Sequence, residues 1–102
     1  MVAFCGYGDQ KLSISSREGA TLHEIALPFN PRCLTASITT VAVGGNASVF
    51  LVGVEAGNIT ATLPIPSSPC CLAFGDQGKK LGCGLRHGLL VFSDSSSKLA
   101  LN

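Results

Sequence analysis

Five cysteines and two histidines are the residues best suited to nucleophilic, redox or metal chemistry: Cys5, Cys33, Cys70, Cys71 and Cys83, with His23 and His87. A working thiol or hydroxyl nucleophile needs a base within reach and a group that orients the base. A metal site needs three or four ligands at a recognisable spacing. The sequence supplies neither pattern. No pair of cysteines is spaced Cys-x-x-Cys, and Cys70 and Cys71 are adjacent, so on a strand they point to opposite faces and cannot hold one ion together. No Gly-x-Ser-x-Gly elbow exists. The glycine-rich spots Gly6-Tyr7-Gly8, Gly44-Gly45 and Gly82-Cys83-Gly84 are not followed by Lys-Ser/Thr and a helix, so they are not phosphate loops. An odd cysteine count argues against a disulfide framework and for a reducing, intracellular compartment, cytoplasmic or nuclear. These residues then read as small hydrophobes. We therefore expect no catalytic residue, no metal and no cofactor. The competing expectation is a small β-fold thiol/His enzyme or redox protein using His87 with a cysteine.

The composition narrows the classes further. Of 102 residues, 46% are hydrophobic, too many for a disordered tail, and only 13% are charged, few enough that part of the surface reads as meant for burial. The net charge is +1 with no blocks of one sign, which argues against nucleic-acid or anionic-membrane binding. No basic segment precedes an apolar one at the N-terminus, so no secretory leader is expected. No run reaches the roughly 18 apolar residues of a membrane span. The sequons Asn46-Ala47-Ser48 and Asn58-Ile59-Thr60 read as turn formers.

The elements that would position any site are strands. Thr21 to Leu27 is followed by Pro28, and no sustained helical period occurs. Short runs of Val, Ile, Leu, Phe and Thr are punctuated by Gly, Pro, Asn, Asp and Ser, which predicts strands near 2–6, 11–16, 21–27, 33–37, 40–45, 48–54, 58–64, 70–75, 79–85 and 88–93.

Three of these elements recur in order. Arg32-Cys33-Leu34-Thr35-Ala36 matches Cys70-Cys71-Leu72-Ala73-Phe74, each after a proline, Pro31 and Pro69. Val41-Ala42-Val43-Gly44 matches Leu81-Gly82-Cys83-Gly84 and the earlier Val2-Ala3-Phe4-Cys5-Gly6. A third set aligns Asp9 to Ile14, Asn46 to Leu51, and His87 to Phe92. A period of about 40 residues with four short strands per unit is that of propeller blades. The fold class expected is all-β: antiparallel four-stranded propeller-type blades forming a partial, open β-propeller. The divisions are a partial first blade over 2–27, a second over 33–64, a third over 70–94 and a loose tail over 95–102. A self-contained β-sandwich or barrel is the alternative.

The stretch from Cys70 to Asp94 resembles a repeat of the WD-repeat family. Cys71-Leu72-Ala73-Phe74 matches the first strand and Asp76-Gln77-Gly78-Lys79-Lys80 the turn. The second strand ends at Gly84, and His87-Gly88-Leu89-Leu90-Val91-Phe92-Ser93-Asp94 occupies the family's Asp-Gly-x-Val-x-Leu-Trp-Asp frame. The departures are that no Trp exists anywhere and that Gly-His before the first strand is missing. The Asp–His–Ser/Trp network of that family therefore cannot form in full. The resemblance implies a divergent, non-enzymatic protein-interaction scaffold of about two and a half blades. Such a scaffold meets partners on rim loops, here Tyr7-Gly8-Asp9, Pro28 to Arg32, Gly45-Asn46-Ala47, Pro66 to Pro69 and Leu85-Arg86-His87. Because aromatic and arginine residues dominate hot spots, Tyr7, Phe29, Arg32, Arg86 and His87 are the expected partner-binding residues. The partners expected are proteins, with self-association through open blade faces as a second mode and a non-functional fragment as the bland alternative.

Overall fold

The computed structural model describes residues 2–6, 8, 10–75, 79–86 and 88–93, and every regular element among them is a strand. The strands are β1 (Val2–Cys5), β2 (Lys11–Ser15), β3 (Thr21–Ala26), β4 (Cys33–Ala36), β5 (Thr40–Gly45), β6 (Ser48–Gly53), β7 (Ile59–Pro64), β8 (Cys71–Gly75), β9 (Lys80–Leu85) and β10 (Gly88–Ser93). They form three open antiparallel sheets: sheet 1 (β1-β2-β3), sheet 2 (β4-β5-β6-β7) and sheet 3 (β8-β9-β10). Each strand pairs with its neighbour in sequence, so each sheet is a meander built from local hairpins.

The repeat in the sequence is a repeat in space. In sheet 1, Lys11 pairs with Ala26 and Leu12 with Ile25, and the ladder slips between Ile14 and Ser15. In sheet 2, Ser48 pairs with Pro64 and Val49 with Leu63, and the ladder slips between Leu51 and Val52, 37 residues further on. The turns match as well. Gln10 and Ala47 both adopt left-handed backbone, φ 51° and 62°. Their carbonyls accept equivalent bonds from the N–H groups of Leu27 (2.9 Å) and Ile65 (3.1 Å). The start of the unit repeats too: the N–H of Arg32 donates to Gly44 O at 2.8 Å, and that of Cys70 to Gly84 O at 2.7 Å. Register makes one correction. Val49 pairs with Gly44 and Leu89 with Gly84, so the third strands align 40 residues apart. Arg86, and not His87, therefore corresponds to Asn46.

The sheets stack with sheet 2 in the middle. Val41, Val43 and Val52 face sheet 1 and join Leu12, Ile14, Ile25, Leu27 and Phe29 in one core. Ala42 and Val49 face the other way and join Leu63, Ile65, Leu72, Leu81, Cys83 and Phe92 in a second. β5 is consequently buried continuously from Val41 to Gly45, because alternate side chains enter two different cores. The tail 95–102, together with Tyr7, Asp9, the turn 76–78, His87 and Asp94, lies outside the described residues.

Candidate functional site

Segments of the connections 27–32 and 65–70, with Asn46 and Arg86 of two hairpin turns, line adjoining hollows, and Arg32 borders each of them. The connection 27–32 leaves sheet 1 and enters sheet 2, and its path is fixed by alternation beyond the strand: Ile25, Leu27 and Phe29 are buried while Ala26 and Pro28 are exposed. Pro31 is buried next, which turns Arg32 outward to an exposed position. The connection 65–70 repeats the course, with Ile65 and Pro69 buried and Ser67, Ser68 and Cys70 exposed.

Two of the five expected contact residues share a groove. Arg32 and Arg86 line an open cleft of about 680 Å³ with Ser67, Ser68, Pro69 and Cys70 between them. Arg32 also borders a second hollow with Gln10, Pro28, Phe29, Asn30 and Asn46, and a third with Cys5, Pro31, Cys33 and Leu34. None of these described linings contains an acidic residue. Among the described residues the one ion pair is remote, between Lys11 and Glu24 at 3.4 Å, exposed and worth little. Among the described residues neither guanidinium has an acidic partner, and the planar fork of donors of each suits an oxyanion.

Phe29 does not occupy the exposed position expected of it. It is 5% exposed and stacks edge to face on Phe50, ring centroids 5.1 Å apart. Its role is core packing, and a Cβ at Gly45 would crowd the Asn30 carbonyl oxygen at 2.5 Å and Phe29 Cδ1 at 2.8 Å. Tyr7 and His87 fall outside the described residues. Asn46, Ser67 and Ser68, which belong to expected rim loops but were not among the five contact residues, join Arg32 in these hollows, and so does Gln10, which lies outside those loops. Gln10 and Asn46 hold matching turns of the repeat, and that match was the signal available for them.

The thiols show the electrostatics of packing. Cys83 is fully buried, Cys5 and Cys33 partly so, and Cys70 and Cys71 are exposed. Burial pushes the Cys5 and Cys83 thiols upward, and pushes Cys33 up to about 11, with smaller additions from neighbouring thiols. A nucleophilic thiol needs the opposite shift. Among the described residues no group of three His, Cys, Asp or Glu side chains is arranged to hold a metal. His23 Nε2–H donates to the Glu55 carbonyl at 3.2 Å and the ring lies against Gly57, tying β3 to the β6–β7 hairpin.

Stacked, open, antiparallel sheets of three and four strands make this an all-β, partial propeller. Two solved propeller-type structures share the arrangement. Hydrazine synthase of Kuenenia stuttgartiensis superposes with a TM-score of 0.78 at 14% identity, over 90% of this chain and 29% of that one. The WD40 domain of Neurospora crassa Pan2 superposes with a TM-score of 0.73 at 13% identity, over 95% of this chain and 31% of that one. This chain spans less than a third of either. No family model and no curated protein matches its sequence.

Proposed function

We propose that the chain is a divergent WD-repeat-type blade array that acts as a protein-interaction scaffold, holding its partner along the rim. The observation that carries this reading is the cleft shared by Arg32 and Arg86, two exposed cations with no acidic residue in the described lining. The likeness to the Pan2 WD40 domain supports the fold on which such a rim depends. The partner is a polypeptide segment carrying carboxylates, met by the arginine forks, with Ser67 and Ser68 hydroxyls able to donate to the same oxygens.

An array of acidic and neutral peptides probed with the chain tests the reading. Acidic peptides are retained, and the Arg32→Glu/Arg86→Glu chain loses at least tenfold of that signal while keeping its β-sheet circular dichroism. Equal retention by both chains, or equal retention of acidic and neutral peptides, overturns it.

A further inference from the structure

The two connections between sheets share their anchors but not their middles. Pro31 matches Pro69, so Leu27, Phe29 and Asn30 stand where Ile65, Ser67 and Ser68 stand in the next unit. Leu27 and Ile65 are buried and make equivalent backbone bonds, and Pro31 and Pro69 are buried as well. Between these anchors the first connection is pinned once more, by Phe29 at 5% exposure. The second has Ser67 there instead, exposed, with Pro66 and Ser68 exposed beside it. Segment 66–68 is therefore held at its two ends only. At one end the Ile65 N–H donates to Ala47 O at 3.1 Å, and at the other the Cys70 N–H donates to Gly84 O at 2.7 Å. Opening such a segment exposes no buried aromatic ring and costs correspondingly less.

Ser68 is the one serine or threonine in the sequence that precedes a proline. It lies outside every described strand, and the proline biases it toward extended backbone. An exposed serine in an extended segment with proline next is the form of substrate that a proline-directed protein kinase takes. Ser68 also lines the cleft of Arg32 and Arg86. A phosphate on serine carries about −1.5 to −2 charge at neutral pH and three acceptor oxygens. Two guanidinium forks match that group in charge and in donor geometry.

We propose that Ser68 is a phosphorylation site and that its phosphate folds onto Arg32 and Arg86, closing the cleft to other anions. The step transfers the γ-phosphoryl group of a nucleoside triphosphate. The Ser68 Oγ–P bond forms, the bond from that phosphorus to the β-phosphate oxygen breaks, the nucleoside diphosphate leaves, and the hydroxyl proton passes to the kinase's carboxylate base. The phosphate is then an acidic ligand tethered inside the cleft, at a higher effective concentration than a free peptide reaches. Exclusion of acidic peptides rests on the cleft's proposed role as their binding site; the contact of phosphate with the arginines does not.

The full chain is incubated with a proline-directed serine/threonine kinase, ATP and magnesium, and the phosphate is mapped by tandem mass spectrometry. Ser68 is modified, Ser68→Ala takes no phosphate in segment 66–68, and Ser67→Ala is modified as fully as the unaltered chain. No phosphate on Ser68, or phosphate on Ser67 in its place, overturns the proposal. Phosphorus NMR then titrates the phosphate. Its midpoint lies below the ordinary value of about 6 and returns there in Arg32→Gln/Arg86→Gln, because a nearby cation favours the dianion. The same midpoint in both chains overturns the closed cleft, whatever the peptides do. On the acidic-peptide array the phosphorylated chain gives at least about tenfold less signal than the unmodified one. Undiminished signal overturns the closure as well. An unmodified chain that retains no acidic peptide removes the proposed partner alone, and the mass map and the titration still decide where the phosphate sits.

Discussion

Gly44 marks a close approach of sheet 2 to the segment that leads into sheet 3. A Cβ there would stand 2.8 Å from Pro69 Cγ and 3.3 Å from Leu72 Cδ1. Gly44→Val should therefore cost about 1–3 kcal/mol by overpacking, read as a lower urea midpoint. Phe29→Ala should cost about 3–5 kcal/mol in the same measurement, because its ring fills the core beside Phe50. Ala47 carries the opposite prospect. It sits at φ 62° after Asn46 at φ 51°, a two-residue hairpin turn that favours Asn-Gly. Ala47→Gly relieves a left-handed alanine and should stabilise by about 1 kcal/mol. The Cys33 thiol makes stability depend on pH in alkali. Its ordinary value is 9.0 and its folded value about 11, so above pH 9 the unfolded chain loses that proton first. Stability is held below pH 9 and declines toward pH 11, and Cys33→Ala makes the decline shallower in urea titrations at pH 8 and 10.5.

At the scale of elements, the strands were legible because nothing competed with their signals. Each observed strand falls within about a residue of the expected span, since Gly, Pro, Asn, Asp or Ser punctuates most of the boundaries between apolar runs. The stacking order was harder to read. It depends on which face of each strand is buried, and β5 gives no alternation because both of its faces are covered. The burial of Phe29 was hidden by its setting between Pro28 and Asn30-Pro31, which reads as a loop. The period of two through Ile25, Leu27 and Phe29 runs past the end of β3 and was the signal that could have placed it. Aligning His87 with Asn46 followed the turn-forming character of the residues, whereas hydrogen-bond register, which sequence does not display, selects Arg86. Of the candidate site, the arginines were legible as rim residues. Their sharing of one cleft was not, because it depends on Ser67 to Cys70 of one connection lying between Arg32 of another and Arg86 of a hairpin.

At the scale of the molecule, the stack is apolar through its middle, and its outer faces mix exposed apolar side chains with charged ones, the Lys11–Glu24 ion pair among them. Val2, Phe4 and Leu22 are exposed on sheet 1 and Leu89 on sheet 3. Such patches on a chain with 13% charged residues favour association over a monodisperse monomer, and added salt should strengthen that association, since it screens charge and leaves apolar contacts in place. Light scattering at low and high ionic strength measures the difference.

The two-sided burial of β5 sets a clock for the whole stack. Amide protons of Val41, Ala42 and Val43 reach solvent only after sheet 1 or sheet 3 peels away, whereas those of β1 need only a local fraying of one edge. Deuterium uptake should thus proceed inward from both ends, with β5 labelled last and at a rate that reports the faster of the two peeling events.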